Sequence, residues 1–232
     1  MSLLRERLDL REALVTVRRE GAAFVPGALD EAFRLRLRRE VDAGPFRSMS
    51  GTYGKVRMEI DGYDVPAPMD GFPLMRELAE MLGEAVRASG AGIRGLATWR
   101  PNEIGVARYR PGSLGITPHL DGKWYRRLVA VVTVYGRSRF AICRTREGDV
   151  VAEWWPGPGD LVLMRAPGLG GLRDGRPFHL AEGPRRGMRC SLGIRMTVST
   201  ASSDVNESST GNMNAPPPVA RPGTIARESG SG

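Results

Sequence analysis

The stretch EIGVARYRPGSLGITPHLDG (residues 103–122) contains a strand-like run, a Pro-Gly turn and a His-x-Asp pair. A short run of this kind that ends in a turn is typical of a β-strand. The pair, His119 and Asp121, includes one of only two histidines in the chain. It suggests a metal site, and a hydrogen bond within a loop is the alternative explanation.

Five more strand-like runs follow, separated by turns with glycine or proline. They are RLVAVVTVY from residue 127, RFAICRT from 139, VVAEWW from 150, GDLVLMRA from 159 and RCSLGIRMTV from 189. Several short strands at this spacing are typical of an antiparallel sandwich or barrel. The second half of the chain is therefore predicted to be an all-β unit.

The first half of the chain has helical patterns. One helix is predicted from Asp9 to about residue 19, and a second begins after Asp30, which suits the N-cap position. A third begins near Pro73 and ends at Gly90. The buried positions predicted for the second helix are Phe33, Leu37 and Val41, and for the third they are Leu74, Leu78, Met81, Leu82 and Ala85. Helices that pack outside a β core give an α+β fold.

Composition divides the chain into three parts. Residues 1–95 hold the helices and a Gly- and Pro-rich segment, residues 48–71, with little apolar periodicity, which suggests a lid over a site. Residues 96–198 form the β unit. Residues 199–232 are rich in Ser, Gly, Pro and Asn, and we expect a disordered tail there.

The charge and cysteine content narrow the functional classes. The net charge is +8, from 34 Lys and Arg against 26 Asp and Glu. This favours an acidic partner such as nucleic acid, and an arginine preference of a GC-rich genome is the alternative. Two cysteines make no disulfide framework, so a reducing cytoplasm is expected. No apolar run approaches the ~18 residues of a membrane span, and the charged N-terminus lacks a signal-peptide apolar region.

The second histidine, His179, also lies in the β half. Together with His119 and Asp121, it gives a set of two imidazoles and one carboxylate. This is the ligand set of the non-haem Fe(II) facial triad, and it leaves open positions on the metal. Zinc uses similar ligands. The run that begins at Arg189 favours iron. In a strand, Arg189, Ser191 and Arg195 share one face because side chains alternate.

Two buried arginines need an anionic partner. A dicarboxylic acid that chelates iron at one end, with its far carboxylate bound by arginine, meets this need. Each such charge-assisted hydrogen bond contributes roughly 1.5–3 kcal/mol.

Taken together, these motifs resemble the Fe(II)/2-oxoglutarate-dependent oxygenase superfamily, in particular its AlkB-like branch. PNEIGVARYRPG followed by ITPHLD is similar to the strand, turn and metal loop of that branch. GDLVLM is similar to the strand before the distal histidine, and RCSLGIR to its paired arginines. The resemblance covers residues 99–198.

The resemblance implies a double-stranded β-helix (jelly-roll) core with N-terminal helices outside it. It implies a dioxygenase that uses Fe(II), O₂ and 2-oxoglutarate, releases succinate, and hydroxylates or oxidatively demethylates an organic substrate. By position, the metal ligands and catalytic residues are His119, Asp121 and His179. The 2-oxoglutarate-binding residues are Tyr109, Arg189, Ser191 and Arg195, with Arg189 on the distal carboxylate.

The sequence departs from the repair enzymes of this branch at two positions. Ala107 stands where they usually have an asparagine, and Lys123 where an acidic residue is common. For a flipped base, the predicted lid offers Tyr53 and Tyr63 but no tryptophan or histidine. These departures count against the repair of alkylated bases, and the expected substrate is a small molecule or a modified nucleic-acid base. The alternatives are an AlkB-type nucleic-acid demethylase and a non-catalytic jelly-roll binding protein.

Overall fold

The computed structural model describes residues 8–198, which form three α-helices and thirteen β-strands. The helices are α1 (Arg11–Glu20), α2 (Glu31–Asp42) and α3 (Pro73–Ser89). The strands are β1 (Ala22–Val25), β2 (Arg47–Ser48), β3 (Gly51–Tyr53), β4 (Val56–Glu59), β5 (Asp61–Pro66), β6 (Glu103–Tyr109), β7 (Gly115–His119), β8 (Tyr125–Tyr135), β9 (Phe140–Cys143), β10 (Val150–Trp154), β11 (Leu161–Arg165), β12 (Phe178–Ala181) and β13 (Arg189–Thr197). The predicted tail, residues 199–232, lies outside the described residues.

The second helix forms where the sequence predicts it. The Asp30 carboxylate accepts a hydrogen bond of 2.9 Å from the Phe33 backbone N–H, which satisfies a free donor at the helix start. Phe33, Leu37 and Val41 are fully buried, so the predicted stripe is confirmed. Within residues 8–198, no helix is both long and apolar enough to cross a membrane.

The third helix has its predicted ends, but its buried stripe is turned around the helix axis. Leu78 and Leu82 are buried as predicted, whereas the other fully buried side chains come from Met75 and Val86. The remaining predicted positions, Leu74, Met81 and Ala85, are only partly buried. The helix contacts α1, α2 and the short turn that follows it, and the direction of these neighbours sets the buried face.

The strands form two antiparallel sheets that pack as a sandwich. The larger sheet has the strand order β1-β11-β8-β13-β6-β5-β2, and the smaller sheet has the order β10-β9-β12-β7-β4-β3. The three helices cover the outer face of the larger sheet, and a second core lies between the sheets. The predicted α+β fold, a jelly-roll core with N-terminal helices outside it, is confirmed.

The alternation of side chains along β13 divides its residues between these two cores. Cys190, Leu192 and Ile194 are fully buried among the helices. The intervening residues, which begin with Arg189 and Ser191, therefore face the smaller sheet. In agreement, Tyr109 lies opposite Arg189 in the register and packs in the core between the sheets.

The segment of residues 48–71 contributes strands to both sheets. β4 pairs with β7 of the smaller sheet, and β5 pairs with β6 of the larger sheet. Tyr63 is buried in the helix-side core, where its hydroxyl donates a 2.8 Å hydrogen bond to the Val41 carbonyl. Tyr53 is exposed. Of the two tyrosines considered for a base-binding surface, only Tyr53 is therefore open to solvent.

Candidate active site

The two histidines lie directly opposite each other on neighbouring strands. β12 lies between β9 and β7 in the smaller sheet, and the register pairs His179 with His119. Their ring centroids are 4.2 Å apart, and Phe140 stacks on His179 at 5.6 Å. A pair of residues far apart in the sequence is thus held side by side by the sheet.

Both imidazoles are oriented by hydrogen bonds to nearby backbone carbonyls. Nδ1 of His119 lies 2.9 Å from the Thr117 carbonyl oxygen, and Nδ1 of His179 lies 3.2 Å from that of Pro177. A carbonyl oxygen only accepts hydrogen bonds, so each Nδ1 carries the proton. Each Nε2 then keeps a free lone pair, the arrangement typical of metal-binding histidines.

The carboxylate of Asp121 completes the cluster. Its Oδ2 lies 3.8 Å from Nε2 of His179, and the ligand atoms of His119, Asp121 and His179 all lie within 4.8 Å of one another. Two imidazoles and one carboxylate are a donor set for non-haem Fe(II). The structure therefore brings together the three predicted metal ligands.

The electrostatic environment keeps His119 and Asp121 in metal-binding form. Burial, assisted by His179, lowers the pKa of His119 to about 4, so its ring is neutral at physiological pH. Burial alone would raise the pKa of Asp121, but the nearby His179 ring and the cations Arg195 and Arg176 outweigh it and lower the pKa. Metal ligation needs this combination of neutral imidazole and ionised carboxylate.

Arg176 supports the loop that carries Asp121. It was not among the residues predicted for the site. Its Nη1 donates a hydrogen bond to the Asp121 backbone carbonyl, and its Nη2 forms a 2.6 Å ion pair with Asp174. The side chain is almost completely buried. Only its place just before His179 in the sequence hints at this contact.

We expect Arg176→Gln to weaken metal binding about tenfold, because it removes the cation that holds the Asp121 backbone. This lies within the roughly 10–100-fold range for outer partners of metal ligands. Titration with Fe(II) under anaerobic conditions measures the effect. Arg185→Gln, at an exposed arginine, is the control. Equal affinity in the two variants would mean that other contacts hold the metal loop.

Arg189 is a buried cation with unused hydrogen-bond donors. It is 1% exposed, and its guanidinium lies 4.8 Å from the centre of the Tyr109 ring. Within residues 8–198, its Nε and Nη1 have no hydrogen-bond partner. A buried guanidinium in this state carries a large desolvation cost, which an anionic ligand would offset.

Arg195 shares the strand face with Arg189 but is already paired. Its Nη1 lies 3.1 Å from the Glu103 carboxylate and donates a 2.8 Å hydrogen bond to the Tyr125 hydroxyl. Asp64 lies 3.9 Å away. Its charge is thus balanced within the protein, and it also lowers the pKa of Asp121.

Two hydroxyl groups lie next to Arg189 on the sheet. Ser191 is paired with Ala107 on one side and with Thr133 on the other, so Thr133 shares its inward face. Thr133 is fully buried, and its hydroxyl has no hydrogen-bond partner in the part of the chain that the structure describes. Thr133 was missed in the sequence, although a polar residue within the apolar run VAVVTVY is a usable signal.

Comparison with solved structures identifies proteins of the same fold. A prolyl-4-hydroxylase from Pseudomonas putida matches with a TM-score of 0.55 and 18% identity, over 82% of this chain and 99% of that one. A 2OG-Fe(II) oxygenase family oxidoreductase from Burkholderia pseudomallei matches with a TM-score of 0.57 and 15% identity, over 79% and 88%. The structure of OsALKBH1 matches with a TM-score of 0.51 and 14% identity, over 76% and 98%.

No protein-family model and no curated protein sequence matches the chain. The similarity to solved structures is thus one of fold, and the chemistry must be inferred from the residues of the site.

Proposed function

We propose that the protein is an Fe(II)- and 2-oxoglutarate-dependent dioxygenase that hydroxylates or oxidatively demethylates an organic substrate. The main support is that His119, Asp121 and His179 converge at the smaller sheet, which carries both histidines and faces the buried Arg189. The oxygenases of the same fold add to this support.

The three ligands suit iron because they leave positions open for other molecules. Both Nε2 lone pairs are free, and the Asp121 carboxylate is ionised. When bound, Fe(II) supplies O₂ activation coupled to the decarboxylation of 2-oxoglutarate to succinate. The protein's part is to hold the three ligands in place and to favour the neutral ring of His119 and the ionised carboxylate of Asp121.

Arg189 suits the distal carboxylate of 2-oxoglutarate. A carboxylate accepts hydrogen bonds from two guanidinium nitrogens at once, and Nε and Nη1 of Arg189 are both free. In this proposal Tyr109 and Ser191 are additional hydrogen-bond partners of the co-substrate. Arg195 lies on the same face and favours the ionised form of Asp121.

We further propose that Thr133 binds the same co-substrate. Thr133→Val keeps the shape and removes the hydroxyl, so the KM for 2-oxoglutarate should rise about fivefold, the effect of one hydrogen bond of about 1 kcal/mol. The free energy of unfolding should not fall, because the lost hydroxyl is unpaired. Thr16→Val, on α1, is the control. An unchanged KM would remove Thr133 from the site.

The proposal is tested by adding Fe(II) and 2-oxoglutarate to the protein without O₂. A visible charge-transfer band should appear in the wild type and not in His179→Ala. Succinate should be released when O₂ is admitted. A band without succinate release would instead identify a non-catalytic binding protein, and the absence of both would refute the proposed function.

An AlkB-type nucleic-acid demethylase is the second candidate. The fold likeness to OsALKBH1 and the net charge of +8 favour it. Succinate release stimulated by methylated oligonucleotides, and not by unmethylated ones, would support this candidate. Stimulation by a small metabolite alone would exclude it.

A further inference from the structure

A cleft lined by arginines lies where three segments meet. Its walls are the turn at residues 94–98, the start of β8 and the loop at residues 168–173, and its volume is about 580 Å³. We call it the arginine cleft, after Arg94, Arg126, Arg127 and Arg173. Its lining contains no aspartate or glutamate.

The positive charge of the arginine cleft is not balanced by any ion pair among the described residues. Within residues 8–198, none of its four arginines forms an ion pair. By contrast, Arg139 lies 2.7 Å from both Glu153 and Glu182. Nε of Arg127 is also buried without a hydrogen-bond partner. Four cations held together in this way repel each other unless an anion binds between them.

The local backbone is shaped to hold these arginines in place. Arg127 has a φ of 71°, a conformation uncommon for residues other than glycine. Its Nη1 donates a 2.7 Å hydrogen bond to the Gly168 carbonyl. A side chain at Gly168 would collide with that guanidinium, and one at Gly95 would place its Cβ 2.9 Å from Cδ of Arg127. The close approach of Arg127 therefore depends on glycine at both positions.

The chemistry of the arginine cleft matches phosphate groups. A guanidinium binds phosphate through two parallel hydrogen bonds, and several guanidiniums favour an anion that carries several charges. Three of the four arginines, Arg94, Arg126 and Arg173, are exposed and accessible to a large ligand. We propose that the arginine cleft is a binding site for phosphate groups.

Two sources of such groups have the same chemistry: the backbone of a nucleic-acid strand, and the phosphate chain of a small molecule. The net charge of +8 favours the nucleic acid, because a long polyanion is attracted by the charge of the whole chain. The site is defined by its own residues and does not depend on the proposed oxygenase activity.

The test uses the full chain without added metal. Binding of a fluorescent single-stranded oligonucleotide is followed by anisotropy at increasing salt, and binding of tripolyphosphate by calorimetry. The variant Arg126→Gln/Arg173→Gln removes two exposed charges of the cleft. The control, Arg36→Gln/Arg39→Gln, removes two exposed charges of α2. Thermal unfolding verifies that both variants fold.

We expect the cleft variant to bind about tenfold or more weakly, and the control to stay within about threefold of the wild type. For a nucleic-acid strand, the slope of log K against log salt should fall by about 1.4, from roughly 0.7 per phosphate contact. Binding of tripolyphosphate but not of the oligonucleotide would assign the small-molecule source. An equal loss in both variants, or no binding of either probe at low salt, would overturn the proposal.

Discussion

His179→Ala is expected to abolish Fe(II) binding and, with it, O₂-dependent succinate release. His179 supplies one of three ligands, so the remaining His119 and Asp121 would hold the ion from two positions. The loss of affinity should exceed the roughly 10–100-fold effect of changing an outer partner of a metal ligand. Metal affinity is measured by anaerobic titration, and turnover by succinate release.

The histidine is also buried against Phe140, so the variant is expected to be less stable as well. Thermal unfolding separates the two effects. Fe(II) should raise the unfolding temperature of the wild type, because a ligand that binds the native state stabilises it. Fe(II) should leave the unfolding temperature of a folded His179→Ala variant unchanged. Wild-type iron content in this variant would show that His179 is not a ligand.

Arg189→Met should raise the KM for 2-oxoglutarate by about 10²–10⁴-fold. Arg189 offers two free nitrogens, and each charge-assisted hydrogen bond to the distal carboxylate is worth roughly 1.5–3 kcal/mol. Iron binding should be unaffected, because within residues 8–198 Arg189 forms no hydrogen bond or ion pair with His119, Asp121 or His179. The measurement is the rate of succinate release against 2-oxoglutarate concentration, with Arg186→Gln, at an exposed arginine, as the control.

A second measurement distinguishes a binding role of Arg189 from a structural one. Since the buried guanidinium is unpaired, its replacement by an apolar chain of similar length should not lower the free energy of unfolding of the ligand-free protein. With Fe(II) already present, addition of 2-oxoglutarate should raise the free energy of unfolding of the wild type further. It should not raise that of the Arg189→Met variant. A less stable variant with an unchanged KM would make Arg189 structural.

Local patterns in the sequence were sufficient for much of the fold. Asp30 caps a helix whose stripe of Phe33, Leu37 and Val41 follows the helical period. Both the cap and the period are set by residues that are close together in the chain. The alternation in β13 likewise predicted that Arg189, Ser191 and Arg195 share one face. Such features depend on backbone geometry, which is the same wherever the strand is placed.

The strands that carry the histidines were not predicted. β7 and β12 are short, and β7 includes Pro118, which weakens a strand pattern because proline cannot donate to the ladder. Neither was among the strand-like runs identified in the sequence. Their pairing, and the opposition of His119 and His179, depends on residues that are distant in the sequence.

The sequence by itself determined the three helices, the longer strands of the β unit, the shared face of Arg189, Ser191 and Arg195, and the set of candidate ligands. Only the tertiary structure decided which polar groups are paired. Arg189 and Arg195 are alike in the sequence, yet Arg195 meets Glu103 and Tyr125, whereas two nitrogens of Arg189 remain free. The physical reason is that side-chain direction follows from the local backbone, while the partners of a side chain come from strands elsewhere in the chain.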